Sequence, residues 1–278
     1  MIDKSTIDFI LDGTTWSYSR INCYVHCPHN FYLHYIENMA PDVNNAFAEW
    51  GSFCHSIFER YFKGEIDLYG MADVYEAEYE TQVTIKFPPN KYKDLSESYY
   101  QNGLDFFRTF EGIPEYYEII GVEMAYEHQI RGRNYKGVID LLVRDKRDNR
   151  LVIVDHKSHA AFKNEAEEAD YRRQLYLYAA YVYDKYGEFP KELVFNMFRA
   201  REITRFPFIQ SEYIATLDWA EDTIRSIYND KSFTDRIVRQ YKAKRKKLSE
   251  YKYADFFCAN LCGSRFLCKR SKLKRKAP

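Results

Sequence analysis

The 278-residue chain has no apolar run near the roughly 18 residues of a membrane span. The opening MIDKSTIDFILDGTTW has no basic segment leading into an apolar one. Both absences set the expectation of a cytoplasmic protein without a membrane role. Its 11 glycines are scattered, so no glycine-rich turn is available to cradle phosphates. That excludes dinucleotide-fold and P-loop readings, and any unwinding motor would have to be a separate chain. No internal repeat is present. Cysteine is modest at six, and a disulfide framework is not expected in a cytoplasmic chain of this size.

Net charge is also missing, with 41 basic and 41 acidic residues, but the balance hides a division. From Lys242 to Pro278 there are 13 Lys or Arg against 2 acidic residues, and the other 241 residues carry 28 against 39. A basic end on an acidic body suits a polyanion partner, or else the last stretch, KRSKLKRKAP, is a solvated terminus. Charge alone leaves both readings open. Tyr at 26 and Phe at 20 can equally pack a core or stack on bases. The length suits one domain with elaborations.

Residues Tyr18 to Tyr35 read as a helix capped by Ser17 or Ser19, with a break near Pro28. Phe47 to Phe62 has nearly helical spacing of Phe47, Phe53 or Cys54, Ile57, Phe58 and Tyr61. Residues 70–115 look helical and tyrosine-rich, interrupted near Pro88-Pro89, and suit an insertion or cap. The centre then changes to β character over 118–130, 136–144 and 150–157, with Gly132 and Asp148-Asn149 as turn residues. A helix fits 165–185, a strand 193–201 and a helix 212–229. The expectation is an α/β fold, a mixed central sheet flanked by helices.

The most informative stretch is GVIDLLV, a charged turn, then LVIVDHK, from Gly137 to Lys157. Asp155 and Lys157 lie two apart on one strand, so both point to one face, and Asp140 comes from the strand before. Two carboxylates can hold a divalent ion that polarises a phosphate and acidifies a water, with Lys157 beside it to orient that water or neutralise charge. His55, in GSFCHSIFE, is a candidate further ligand, or a packed core histidine. Gln174 and Tyr178, four apart on the 165–185 helix, share a face and could contact water, phosphate or base. Arg172 and Arg173 beside them are either phosphate contacts or solvated helix arginines.

Together GSFCHSIFE, GVIDLLV, VIVDHK and QLYLY resemble the PD-(D/E)XK nuclease superfamily, in its RecB-like exonuclease branch with an iron–sulfur cluster. That branch includes CRISPR-associated nucleases, and a phage source fits it too. The resemblance runs from about Ser17 to Cys268 and implies a restriction-endonuclease-like core with a helical insertion and a cysteine-bearing C-terminal module. It implies one nuclease domain over 1–278, with an N-terminal helical segment (17–69), the insertion (70–115), an α/β core (116–230) and a basic module (231–278). It further implies magnesium or manganese held by His55, Asp140, Asp155 and the His156 backbone carbonyl, with Lys157 as catalytic lysine and Gln174 and Tyr178 as the following helix motif. Glu123, on the preceding strand, resembles a residue that accompanies such sites and is given no role.

The resemblance extends to the cysteines. Cys27 fits the first ligand of a four-iron cluster (4Fe-4S), and Cys258, Cys262 and Cys268 the other three, although C-x3-C-x5-C departs from the commoner spacing. Four thiolates also suit tetrahedral zinc, so both groups stay open. Cys23 could replace Cys27, and Cys54 suits a buried apolar position. The function implied is a metal-dependent DNA exonuclease acting on single strands or free ends in recombination, repair or phage DNA metabolism, alone or with a separate helicase or recombination protein. A structure-specific endonuclease, a CRISPR spacer-processing nuclease and a non-catalytic DNA-binding module are the alternatives. Sequence does not fix the oligomeric state.

Overall fold

A computed structural model describes residues 2–39, 44–159, 161–243 and 255–268. Most of the basic end, 244–254 and 269–278, therefore lies outside the described residues. Among the described residues no helix is long and apolar enough to cross a membrane. The chain divides into two compact units, one of Met1–Asn45, Pro88–Lys91 and Asp218–Pro278, the other of Ala46–Phe87 and Tyr92–Leu217.

The second unit holds a five-stranded sheet in the order β1 (Tyr117–Ile130), β2 (Arg133–Asp145), β3 (Arg150–His156), β4 (Glu192–Met197), β5 (Glu202–Pro207). β1, β2 and β3 pair antiparallel, β3 and β4 parallel, and β4 and β5 antiparallel, so the sheet is mixed as expected. The β1–β2 turn is two residues long, with Arg131 at φ 50° and Gly132 at φ 79°. Positive φ at both positions matches the twist of the flanking strands, and glycine adopts it without a Cβ clash. The strand read over 193–201 ends at Met197. Residues 198–201 turn the chain, Arg201 has φ 57°, and β5 follows as an unanticipated edge strand. EITRFP is mostly exposed, so it lacks the apolar run that marks a central strand.

In the first unit, α1 (Lys4–Asp12), α2 (Tyr18–His26) and α3 (Pro28–Phe31) lead into a π-helical turn, Tyr32–Ile36. Ser17 caps α2 by accepting from the Arg20 N–H at 3.1 Å. The break at Pro28 is as expected: Cys27 is extended and Pro28 begins the next helix, where its missing N–H costs nothing. Phe31 stacks on Phe233 in the buried centre of this unit, with Ile21, Ile224 and Ile227 also fully buried.

The second unit adds α4 (Ala46–Phe62), α5 (Gly70–Gln82), α6 (Leu95–Thr109) and α7 (Glu165–Tyr186). Asn164 caps α7 by accepting from the Glu167 N–H at 2.9 Å, and three glutamates in the first turn complement the helix dipole. α8 (Gln210–Asn229) contains the division between the units, and α9 (Arg236–Ala243) belongs to the first. Alternate β3 residues separate two cores. Val152 and Val154 pack with Trp50, Phe58 and Tyr75 of α4 and α5, while Leu151 and Ile153 pack with Leu175, Ala179 and Val182 of α7. That period of two decides which wall of the cleft each β3 site residue joins.

Candidate active site

The β1–β2 turn sets a register in which Ile130 faces Arg133, Met124 faces Ile139 and Val122 faces Leu141. Glu123 is thereby brought opposite Asp140. Its φ of 46° lies in the left-handed region, an uncommon and costly setting for a non-glycine residue. From α4, the His55 Nδ1 comes to 3.8 Å from Glu123 Oε1 and 3.6 Å from Asp140 Oδ2. One ligand atom from each of His55, Glu123 and Asp140 lies within 4.8 Å of the others, a group able to hold a metal ion.

Asp140 is buried, and its Oδ2 accepts a hydrogen bond from the His156 N–H at 2.7 Å. Burial, then the neighbouring Asp155 carboxylate, push its pKa up to about 7 against the pull of His55 and Lys157. For His55 the largest single effect is burial, which disfavours its charge. The Glu123 hydrogen bond and the Asp140 and Asp155 carboxylates outweigh it and hold the imidazole above its ordinary value. His156 behaves oppositely: burial, then His55 and Lys157, drive it well below. Its ring lies face to face with Phe58, centroids 4.2 Å apart, and Asn196 is 3.0 Å from Nδ1. The ring is thus packed on the α4 side of the sheet, leaving the backbone as the part of His156 nearest the carboxylates.

Asp155, on the other face of β3, and Lys157, just past the end of that strand, come together. The Lys157 Nζ lies 2.7 Å from Asp155 Oδ2 and donates to Gln174 Oε1 at 2.8 Å. Gln174 Nε2 in turn donates to the Tyr178 hydroxyl at 2.5 Å. Asp155 Oδ2 is buried and, beyond that ion pair, makes no hydrogen bond, so it keeps lone-pair capacity for a cation. An imidazole and two carboxylates, from His55, Glu123 and Asp140, fit a divalent ion, and Asp155 lines the same cleft outside that group.

The cleft has a volume of about 540 Å³ and is lined by His55, Glu59, Glu123, Asp140, Asp155, His156, Lys157 and Gln174 among others. It brings together every expected catalytic or metal-binding residue except Tyr178, which is buried behind Gln174. The α4 wall sets the small residues Ala48, Gly51, Ser52 and Ser56 beside His55 and Glu59. A Cβ on Gly51 would lie 3.2 Å from Ser158 Oγ, so glycine lets the helix approach the chain just past Lys157. Sequence reading left Glu123 without a role. Counting pairs back from the two-residue turn assigns it opposite Asp140, and that signal was available.

The first unit gathers the cysteines. Cys27, Cys258, Cys262 and Cys268 line one cavity of about 20 Å³, with His29, Asn30 and Arg236 among its other walls. Asn30 accepts from Cys262 Sγ at 3.4 Å and from Ser264 Oγ at 2.6 Å, and donates to Cys23 at 3.1 Å. Burial raises the thiol pKa of Cys27, of Cys258 and of Cys262, the last to about 11. Among the described residues, no three cysteines come within 4.8 Å of one another. Cys54 is buried elsewhere, as an apolar position.

Compared with known protein families, residues 15–269 match the PD-(D/E)XK nuclease superfamily. The chain belongs to that superfamily, with its restriction-endonuclease-like α/β core and a candidate metal-binding triad. No curated protein matches it significantly.

Proposed function

We propose that the chain is a metal-dependent DNA exonuclease that hydrolyses phosphodiester bonds at free ends or in single strands. The observation that carries this reading is the cleft in which His55, Glu123 and Asp140 gather as a candidate metal triad, beside Asp155 and the Lys157 ammonium. Carboxylates gathered this closely favour a bound cation, which in turn offsets their repulsion of a phosphodiester. His55, Glu123, Asp140 and Asp155 would hold magnesium or manganese, with the His156 carbonyl contributing. A bound divalent ion supplies charge that polarises the scissile phosphate and acidifies water.

The chain's own groups do the rest. Asp155 and Gln174 hold the Lys157 ammonium in one position, from which it orients a water and neutralises charge developing on the phosphoryl oxygens. With both ends of its amide engaged, Gln174 acts by positioning Lys157, and Tyr178 by positioning Gln174. In the first unit, a four-iron cluster at Cys27, Cys258, Cys262 and Cys268 is supported by their common cavity. The cavity of about 20 Å³ must widen to seat it. Zinc, with Zn–S near 2.3 Å, requires the thiols instead to close up.

Two experiments test the proposal. Linear end-labelled DNA should be degraded with magnesium or manganese, while covalently closed circles of the same sequence survive. Equal loss of both would make the enzyme an endonuclease. Protein purified without air should contain iron and sulfide, and one zinc per chain without iron would replace the cluster.

A further inference from the structure

We propose that His159 and Tyr171 form a phosphate subsite that holds the nucleic-acid strand one linkage from the bond being cut. This rests on the nuclease reading above. Both residues line the same cleft as Lys157 and Gln174, on the wall formed by α7 and the segment after β3. The His159 Nε2 lies 3.0 Å from the Tyr171 hydroxyl, a hydrogen bond joining the two. The Lys157 ammonium is 5.9 Å from the centre of the Tyr171 ring. Lys157 and the pair thus border one stretch of the cleft, close enough for a single strand to meet both.

The chemistry of this wall favours phosphate over a base. Phe162 packs against the Tyr171 ring with centroids 5.5 Å apart, and His159 meets it edge-on at 5.0 Å. The aromatic surface is thus committed within the protein, whereas the hydroxyl and the imidazole edge remain polar groups on the cleft. Elsewhere the cleft presents Glu59, Glu123, Asp140 and Asp155, and its ammonium is engaged by Asp155 and Gln174. Joined by their own hydrogen bond, the imidazole–phenol pair keeps one N–H or O–H to donate and adds no negative charge, which is what a second phosphate needs.

The test places a single methylphosphonate, in turn, at each linkage of an end-labelled single-stranded oligonucleotide cleaved with manganese. Wild-type protein should lose about tenfold in kcat/KM when the modification lies next to the scissile linkage, the scale of one hydrogen bond to a charged group. His159→Ala and Tyr171→Phe should lose a similar factor on unmodified DNA, carried by KM, and become insensitive to that methylphosphonate. Manganese affinity by calorimetry and Tm should stay at wild-type values, and His159→Gln, which retains a donor, should recover part of the loss. Variants with wild-type KM, or with undiminished sensitivity to the methylphosphonate, would overturn the subsite alone. Wild-type protein that cleaves nothing would overturn the nuclease reading and the subsite with it.

Discussion

The backbone N–H of His156 donates to the side chain of Asp140, 2.7 Å away, where the β2–β3 ladder stops at the Leu141–Val154 pair. A side-chain carboxylate here does what a strand carbonyl does further along the ladder. Asp140 is therefore both a candidate ligand and a structural acceptor.

Removing that acceptor and removing its charge should have different consequences. Asp140→Ala leaves a buried N–H unsatisfied and should destabilise the fold by about 1–3 kcal/mol. Asp140→Asn keeps an acceptor oxygen and should melt close to wild type while losing metal affinity. Equal melting of the two variants would show that the N–H finds another partner.

Metal affinity should depend steeply on pH. Burial and then the Asp155 carboxylate push the Asp140 pKa up to about 7, and His55 is held above its ordinary value, so both carry protons on the acid side. Each proton must leave before its atom can ligate, and affinity should weaken as pH falls, by up to about tenfold per pH unit for each proton displaced. Manganese titrations from pH 6 to 8, in buffers of different ionisation enthalpy, would show this as proton release. A flat affinity would remove Asp140 and His55 from the ligand set.

Away from the cleft, Asp145 is the acid-sensitive point of the sheet. Arg147 grips it at 2.6 Å and Lys191 at 2.7 Å, and the Arg147 hydrogen bonds, ahead of Lys191, hold its pKa well below the usual carboxylate range. A depressed folded pKa contributes stability that is complete above the unfolded value near 3.8 and is lost as pH falls toward the folded one. Asp145→Asn should lower Tm at pH 7 and flatten the fall of Tm below pH 4. A variant with an unchanged acid profile would contradict this.

The cysteines separate by location. Cys27 lines the cavity with Cys258, Cys262 and Cys268, whereas Cys23 is bonded to Asn30 and does not line it. Cys27→Ser should lose bound metal and soluble yield, and Cys23→Ser and Cys54→Ser should retain both. Metal loss in Cys23→Ser would exchange the two roles.

Much of this was legible in the sequence, for identifiable reasons. The two-residue spacing of Asp155 and Lys157 carried their common face, and the four-residue spacing of Gln174 and Tyr178 their adjacency. Periodicity gives a direction but not a depth, so the burial of Tyr178 behind Gln174 could not be read. α1 and β5 were missed because a short amphipathic helix and an exposed edge strand bury little apolar surface. The place of Glu123 opposite Asp140 follows only once the two-residue turn at 131–132 is fixed, because it depends on a β-register across 17 residues of chain.

The most direct test of the central claim separates metal binding from turnover in two variants. Asp155→Asn and Lys157→Ala should each abolish cleavage of end-labelled DNA with magnesium or manganese. Calorimetry on the same preparations should show manganese affinity lost in Asp155→Asn and retained in Lys157→Ala, because an ammonium is not a ligand. Full cleavage by either variant, or manganese binding unchanged in Asp155→Asn, would contradict the assignment of this cleft as a metal-dependent nuclease site.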